Sequence, residues 1–371
     1  MRGLPLRKET KMSEILSRIR ERLIKEDYEA VLVSSEENQR YVSGFHYTDG
    51  YILICKSSAY LLADFRYIEA AKAGTCKEDF EVIRPNGSMT AEIALLCAVN
   101  GIKRIYVEDE TLSFAMLERF KKAVKDVSLE SGASEVILEL RAVKTQSELD
   151  LIARAQDITD AAFSHILDIL DPKMTEIEVA LELEYFMRRN GADRAGFDTI
   201  AVSGSASSMP HGVPRNVPLE RGFLTMDFGA CIDGYTADMT RTVVIGKADD
   251  DMKKLYNTVL TAQRAALDII SEGVDCKSVD TVARDIIDAA VYKGCFGHSL
   301  GHGVGLYVHE LPRFAPSTKE GTLLARGNVV TVEPGIYIEG KYGCRIEDMI
   351  AIDLDGKMIN FTKSEKELIE I

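Results

Sequence analysis

Two stretches in the second half of the sequence resemble each other, and together they constrain the fold more than any other feature. Residues 224–245 and residues 330–352 each begin with an apolar run that ends at an acid, and a glycine follows two residues later. After a turn that contains glycine, a second acid begins a new apolar run. Helix-rich segments precede both copies, so we expect a pseudo-symmetric domain with its site at the centre. The four acids are Asp227 and Asp238 in the first copy and Glu333 and Glu347 in the second.

The first copy predicts an antiparallel hairpin, because Asp233-Gly234 is a pair typical of tight turns. We place the centre of the turn between Ile232 and Asp233. Asp227 and Asp238 then lie opposite each other, with Cβ atoms about 4.5–5.5 Å apart. Like charges at that distance repel each other, so we expect a cation, most simply a metal, between them.

The apolar runs strengthen the case for bound cations. Asp227 and Glu333 each end a run that belongs in the protein interior. Burying an unpaired carboxylate is very costly. A solvated surface charge is therefore a poor interpretation of either residue.

Histidines cluster between the two copies. His298, His302 and His309 lie within twelve residues of one another, in a segment interrupted by glycines that let the backbone approach a ligand closely. Four carboxylates and a histidine suit two divalent first-row cations with shared carboxylates better than one structural zinc, which prefers nitrogen and sulfur ligands. Paired metals activate a water molecule and stabilise the tetrahedral intermediate of amide hydrolysis.

The composition excludes several classes of function. The net charge of −14 argues against a nucleic-acid partner, because phosphate binding needs a basic surface. No apolar run approaches the roughly 18–20 residues of a membrane span. The seven cysteines are scattered and form no C-x-x-C pair, which is typical of reduced thiols in the cytoplasm. We therefore expect a cytoplasmic protein with neither a nucleic-acid nor a membrane partner.

The patterning divides the chain into three segments. Residues 1–12 are charged and lack the apolar core of a signal peptide, so we expect a disordered extension, in which Met12 is a second candidate for the natural start. Residues 13–142 alternate strands with helices, which predicts an α/β domain. Residues 143–371 begin with a long helical pattern and continue as an α+β domain.

Two helix starts in the second domain carry cap signals. Ser147 and Asp150 have the spacing of a cap for the first helix. Thr175 and Glu178 have the spacing of a capping box for the second.

With these motifs in view, residues 143–371 resemble the catalytic domain of the pita-bread metallopeptidases, which include methionine aminopeptidase, aminopeptidase P and prolidase. The motifs are MDFG, ADMTRT, GHGVG, VEPG and RIED, in the family's order. The resemblance implies an α+β pita-bread fold with pseudo-twofold symmetry and a dinuclear metal site. It also implies five metal ligands, which in chain order are Asp227, Asp238, His302, Glu333 and Glu347.

The resemblance distributes these ligands between two divalent ions. Asp238 and Glu347 would bridge the metals, Asp227 would bind one of them, and His302 and Glu333 would bind the other. Glu333 would also act as general base toward the attacking water. Manganese or cobalt is expected first, with zinc or iron as alternatives, because all four suit these ligands.

Four further residues match family positions near the substrate. His211 of PHGVP and His309 of VHELP would orient the peptide and stabilise the developing oxyanion. His298, four residues before the histidine ligand, resembles the position found in Pro-specific members. Arg345 is expected to pair with an acidic ligand.

The first half resembles the N-terminal domain shared by creatinase, prolidase and aminopeptidase P. The similar pieces are NQRYVSGF (Asn38–Phe45) and ADFRYIEAA (Ala63–Ala71). In that group the domain commonly helps to form a homodimer and lends a loop to the neighbouring active site. The loop Gly44–Gly50, with His46, is the candidate here, and a purely structural loop is the alternative.

The resemblance implies an exopeptidase that cleaves the Xaa-Pro bond at a peptide N-terminus, an Xaa-Pro aminopeptidase. The length of the chain and the compact VHELP segment favour this over an Xaa-Pro dipeptidase (prolidase), which remains the alternative. A metal-free, creatinase-like amidinohydrolase and a non-enzymatic binding protein are more distant alternatives. Relatives of those kinds have lost metal ligands, whereas all five are present here.

Overall fold

The computed structural model describes residues 9–75 and 77–371. The chain forms two compact units, Met1–Arg141 and Ala142–Ile371. The first helix, α1, spans Glu9–Lys25 and so takes in the end of the expected extension. The rest of that extension, residues 1–8, lies outside the described residues, as does Cys76.

Unit 1 alternates strands and helices, as its sequence predicts. Its six-stranded sheet has the order β4-β3-β2-β1-β5-β6, in which β1, β2 and β3 pair antiparallel and the other neighbours pair parallel. The central strand β1 is buried on both faces. The elements in chain order are α1 (Glu9–Lys25), β1 (Ala30–Val33), α2 (Glu36–Ser43), β2 (Gly50–Cys55), β3 (Ala59–Ala63), α3 (Ile68–Gly74), β4 (Glu81–Ile83), α4 (Met89–Asn100), β5 (Arg104–Val107), α5 (Phe114–Ala123), β6 (Ser128–Glu130) and α6 (Ala133–Ala142).

Unit 2 consists of two helix pairs and a set of short antiparallel strands. The elements in chain order are α7 (Gln146–Ile169), α8 (Glu176–Arg189), β7 (Arg194–Ala195), β8 (Ile200–Ser203), β9 (Gly222–Phe228), β10 (Ala230–Ile232), β11 (Tyr235–Thr236), β12 (Met239–Ile245), α9 (Asp250–Ile269), α10 (Cys276–Ile287), β13 (Gly301–Gly303), β14 (Glu310–Phe314), β15 (Val329–Val332), β16 (Gly335–Ile338), β17 (Tyr342–Arg345), β18 (Asp348–Ile352) and β19 (Met358–Asn360).

The internal repeat of the sequence is present as a repeat of structure. The pair α7 and α8 precedes the hairpin β9–β12, and the pair α9 and α10 precedes the hairpin β15–β18. The tip of each hairpin forms a separate small sheet, made of β10 and β11 with β7 in the first copy and of β16 and β17 in the second. The expected pseudo-twofold arrangement is therefore confirmed.

One cap prediction is right and one is wrong. Helix α8 begins with a reciprocal capping box, in which the Glu178 N–H donates to Thr175 Oγ1 and the Thr175 N–H donates to Glu178 Oε2. Helix α7 is instead capped by Thr145, whose N–H donates to the side chain of Glu148. The spacing of Ser147 and Asp150 repeats the same signal two residues too late.

A buried apolar cluster supports the second half of unit 2. Helix α9 contributes Leu255, Val259, Ala262 and Ala266, spaced to share one face. The hairpin strands contribute residues such as Val330 to the same cluster. Among helices of the described residues, none is both long enough and apolar enough to cross a membrane.

Candidate metal centre

The first hairpin differs in register from the prediction. The turn centres on Asp233 and Gly234, both with positive φ, rather than one residue earlier. Asp227 is therefore paired with Thr240, and Asp238 lies two residues before Thr240 instead of directly opposite Asp227. Because pairing positions on two strands sum to a constant, moving the turn centre by one residue shifts each partner by two. The two acids still line the same pocket.

The second hairpin opposes its two acids directly. Val332 pairs with Asp348 and Gly335 pairs with Arg345, so Glu333 and Glu347 fall at matching positions in the interval between these two ladders. At these positions the hairpin passes from the five-stranded sheet of β15 and β18 to the two-stranded sheet of β16 and β17. Both carboxylates line the pocket there.

The glycines around His302 serve close packing between strands. A Cβ atom at Gly301 would overlap the carbonyl oxygen of Thr331, and one at Gly303 would overlap that of Leu311. Only glycine lets β13 pass so near to its neighbours. The predicted close approach was to a ligand, whereas the approach seen in the structure is to neighbouring strands, and it places His302 beside the acids.

Three side chains approach one another closely enough to bind one ion. Ligand atoms of Asp238, His302 and Glu347 all lie within 4.8 Å of one another, and all three residues are buried. His302 Nε2 is 3.1 Å from Glu333 Oε1 and 3.8 Å from Asp238 Oδ2. Asp227, with its side chain 14% exposed, lines the same pocket.

The tautomer of His302 favours a cation. Its Nδ1 lies 3.1 Å from the carbonyl oxygen of Gly303, and a carbonyl oxygen can only accept, so Nδ1 carries the proton. In the neutral ring, Nε2 then presents a lone pair to the carboxylate oxygens of Glu333 and Asp238. A positive ion among these atoms turns that repulsion into coordination.

The pKa shifts of the acids agree with this interpretation. Burial and the charge of Glu347 raise the pKa of Asp238 well above its ordinary value, and burial and the charge of Glu333 raise that of Glu347. Burial also raises the pKa of Asp227, despite the nearby Arg345. Burial opposes ionisation of Glu333, but a protonated His302 ring, donating from Nε2 and carrying the positive charge that a metal ion would supply beside a neutral ring, lowers its pKa. The acids need added positive charge to be ionised together.

One carboxylate oxygen of the cluster is available to bind a metal ion. Asp227 Oδ1 is buried and has no hydrogen-bond partner among the described residues. Its other oxygen, Oδ2, accepts a hydrogen bond from Arg345. A buried acceptor without a partner is costly, and a metal ion would satisfy it. The residues present therefore fit a divalent metal site.

Arg345 connects the two hairpins. Its guanidinium is almost fully buried and lies 2.5 Å from Asp227 Oδ2. It also donates to the hydroxyl of Tyr337 at 2.8 Å and to Thr240 Oγ1 at 2.9 Å. Arg345, which was expected to pair with an acidic ligand, thus pairs with Asp227, one of the proposed ligands.

The other predicted histidines of this unit line the same pocket. His211 and His309 are exposed on its rim. His298 Nδ1 contacts the Ser299 carbonyl at 2.8 Å, while Nε2 lies 3.0 Å from the Tyr337 hydroxyl. Burial lowers the pKa of both His298 and His309.

His46 is the one predicted site residue that lies in unit 1. It is exposed, in the loop that joins α2 to β2. The pocket is lined by residues between 197 and 347, all from unit 2. His46 is therefore not among the residues that line the pocket.

Sequence reasoning missed several residues that line or support the pocket. Asp198 and Arg313 line it, and Thr240 and Tyr337 hold its side chains. Thr240 follows Asp238 by two residues in ADMTRT, so a search of the neighbours of each ligand would have found it. Asp198 has no such signal, because it lies 29 residues before Asp227 in the sequence.

Comparison with known proteins agrees with this geometry. Residues 150–353 match metallopeptidase family M24, and residues 15–143 match the creatinase/prolidase N-terminal domain. The Xaa-Pro dipeptidase of Pyrococcus horikoshii is 37% identical over 360 residues, which cover 96% of this chain and 99% of that protein.

Solved structures give the same result for the fold. An Xaa-Pro dipeptidase from Bacillus anthracis has a TM-score of 0.92 and 39% identity, covering 97% of this chain and 100% of its own. An X-Pro aminopeptidase from Thermotoga maritima has a TM-score of 0.86 and 36% identity, covering 95% of this chain and 100% of its own. The expected pita-bread fold and N-terminal domain are therefore confirmed. The chain belongs to metallopeptidase family M24 and is a metallo-exopeptidase.

Proposed function

We propose that this chain uses two divalent metal ions to hydrolyse the bond between an N-terminal residue and proline. The observation that carries the proposal is the set of four carboxylates that line one pocket with His302, two of them buried, because so much negative charge needs bound cations. The dipeptidase and aminopeptidase relatives support the choice of an Xaa-Pro bond.

We assign the five proposed ligands to two ions. Asp227 would bind one metal, and His302 and Glu333 would bind the other. Asp238 and Glu347 would each bind both metals. The paired metals would supply an acidified water and a polarised carbonyl group. Manganese and cobalt remain the first candidates, because carboxylate-rich sites suit them and availability decides among similar ions.

The chain's own residues complete the reaction. Glu333 has the less buried carboxylate of its hairpin, 13% exposed, and would accept a proton from the attacking water and pass it to the leaving nitrogen. His309 and His211, on the pocket rim, would donate hydrogen bonds to the scissile carbonyl as it becomes negative. His298 lies beside the Tyr337 hydroxyl and 3.9 Å from Glu333, and would shape the wall of the pocket next to that acid.

Arg313 bears on the length of the substrate. It lines the same pocket, is exposed, and has no ion-pair partner among the described residues. An unpaired guanidinium beside His309 suits the terminal carboxylate of a dipeptide, since arginine binds carboxylates in a bidentate manner. This observation favours an Xaa-Pro dipeptidase over the aminopeptidase that the sequence analysis placed first.

A substrate panel separates the two activities. Wild-type protein and Arg313→Ala, each supplied with manganese or cobalt, are assayed on Xaa-Pro, Xaa-Pro-Yaa and Met-Yaa peptides. A dipeptidase should cleave Xaa-Pro, and Arg313→Ala should raise its KM more than it lowers kcat. Cleavage of Xaa-Pro-Yaa, with the same KM in Arg313→Ala as in the wild type, would favour the aminopeptidase assignment over the dipeptidase. Cleavage of Met-Yaa alone would contradict the whole proposal.

Assembly and location are further proposals. We propose a homodimer in the cytoplasm, in which the loop Gly44–Gly50 with His46 reaches the neighbouring active site. Light scattering should give twice the mass of one chain, and His46→Ala should raise KM without changing the mass. A monomer with full activity, or an activity found only in the extracellular fraction, would contradict these proposals.

A further inference from the structure

Thr240 is a buried hydroxyl residue between the two carboxylate hairpins. It has no exposed surface, and on β12 it pairs directly with Asp227. Its backbone carbonyl accepts a hydrogen bond from the Glu347 N–H at 3.1 Å. Its side chain also contacts Glu347, at 2.7 Å. Thr240 therefore contacts one acid through both backbone and side chain, and it pairs with another.

The direction of its side-chain hydrogen bonds is fixed by its neighbours. Arg345 Nε carries a single hydrogen and donates it to Thr240 Oγ1 at 2.9 Å. The hydroxyl proton is then free for the acceptor on the other side, Glu347 Oε2. Thr240 thus accepts from the arginine and donates to the carboxylate.

This arrangement links one acid from each hairpin through two side chains and three hydrogen bonds. Arg345 donates to Asp227 Oδ2 with one nitrogen and to Thr240 with another, and Thr240 donates to Glu347. A hydrogen bond to one carboxylate oxygen fixes the orientation of the group. It leaves most of the acceptor positions open, because a carboxylate has about four.

We infer that Thr240 is a positioning residue that orients the Glu347 carboxylate toward the metal ions. This rests on the proposed two-metal function and names a residue that acts on a ligand without touching the metals. Partners of this kind typically change metal affinity by about 10–100-fold when they are lost.

Valine is the sharpest replacement, because it keeps the shape of threonine and removes the hydroxyl. In Thr240→Val, Arg345 Nε and Glu347 Oε2 both lose a buried partner. Thr240→Ser keeps the hydroxyl and should restore both contacts. Thr225→Val is the matched control: Thr225 is buried in the same hairpin, and its hydroxyl contacts Thr242, not an acid.

The test measures Mn²⁺ binding to the metal-free full chain by titration calorimetry, with the absorption spectrum of Co²⁺-loaded protein as a readout of ligand geometry. Thr240→Val should bind Mn²⁺ about 10–100-fold more weakly and change the Co²⁺ spectrum. Thr240→Ser and Thr225→Val should match the wild type in both.

Each other outcome overturns something specific. If the wild type binds no Mn²⁺, the proposed function fails. If it binds Mn²⁺ and Thr240→Val binds equally well, only the positioning role fails, and the same holds if Thr225→Val loses affinity to the same extent. Should Thr240→Val not fold, Thr240→Ser decides, because a tenfold loss of affinity there would contradict a role for the hydroxyl.

Discussion

His302 and His309 lie side by side, with ring centroids 4.4 Å apart, yet their surroundings assign them different roles. His302 is buried, and its Nδ1 is held by a carbonyl group, which leaves Nε2 for the carboxylates. His309 is exposed to the pocket, where a substrate would be. Burial thus separates the proposed ligand from the group proposed to contact substrate.

Replacing His309 should therefore affect turnover and not metal binding. We expect His309→Ala to lower kcat by about 10²–10³-fold, the usual effect of losing one oxyanion donor. Its manganese content, measured by mass spectrometry of the metal, should equal that of the wild type. His165→Ala is the control, since the half-buried His165 of α7 pairs with Glu182 of α8 and does not line the pocket. Loss of metal from His309→Ala would contradict the assignment.

At the scale of elements, the first hairpin bends where Gly229 meets Ala237. A Cβ atom at Gly229 would overlap the Ala237 carbonyl group, so the two strands could not stay this close. The bend separates the tip β10–β11 from β9 and β12. The hairpin that carries Asp227 and Asp238 therefore requires glycine at position 229.

Gly229→Ala should therefore destabilise the catalytic unit. The clash is with backbone, which has little room to move, so we expect a cost of at least about 1–3 kcal/mol, as for other overpacked sites. Thermal unfolding followed by calorimetry measures it. Gly297→Ala is the control, because a Cβ atom there would have no neighbour within 4 Å. Equal unfolding midpoints for the two variants would refute this role for Gly229.

The start of helix α8 should make the protein sensitive to acid. Burial raises the pKa of Glu176, but hydrogen bonds from Arg215 and Ser203 outweigh it, so the folded-state pKa lies below the ordinary value of 4.5. A lowered pKa stabilises the folded state above the unfolded-state pKa, and this contribution is lost as pH falls through the folded-state value.

Glu176→Gln should accordingly lower the unfolding midpoint at neutral pH, with a difference from the wild type that shrinks below about pH 4.5. Unfolding measured across pH 3–7 tests this. Glu184→Gln, on the same helix and without a hydrogen-bond partner among the described residues, should stay close to the wild type throughout. A difference for Glu176→Gln that did not vary with pH would exclude the proposed ionic contribution.

Sequence was most informative about elements and least informative about register. The strand–helix alternation of residues 13–135 and the capping box at Thr175 were both recoverable, because they depend on local spacing. The opposition of Asp227 and Asp238 was wrong, because a tight turn can be centred one residue either way without changing its composition. The cap at Thr145 was missed for a similar reason, since polar residues there offer two overlapping signals.

At the scale of the whole molecule, the repeated acid-bearing hairpins predicted a pseudo-symmetric catalytic domain. The family motifs named five candidate ligands, which line one pocket in the structure. Contacts between distant parts of the chain were out of reach. Arg345 and Thr240 are 105 residues apart in sequence, and the buried ion pair of Lys144 with Glu310 spans 166. Such partners are chosen by the folded geometry, and a single sequence holds no local sign of them.

The central claim is that Asp227 and Asp238 supply half of the acids of a metal site, and that only bound metal ions allow all four acids to be ionised together. Metal content and activity of the full chain, wild type against Asp238→Ala, test this most directly. The wild type should hold about two manganese ions per chain, and the variant should lose both ions together with Xaa-Pro hydrolysis. Its metal-free form should unfold no earlier, since one of several repelling acids is gone. An Asp238→Ala protein that keeps both ions and full activity would contradict the claim.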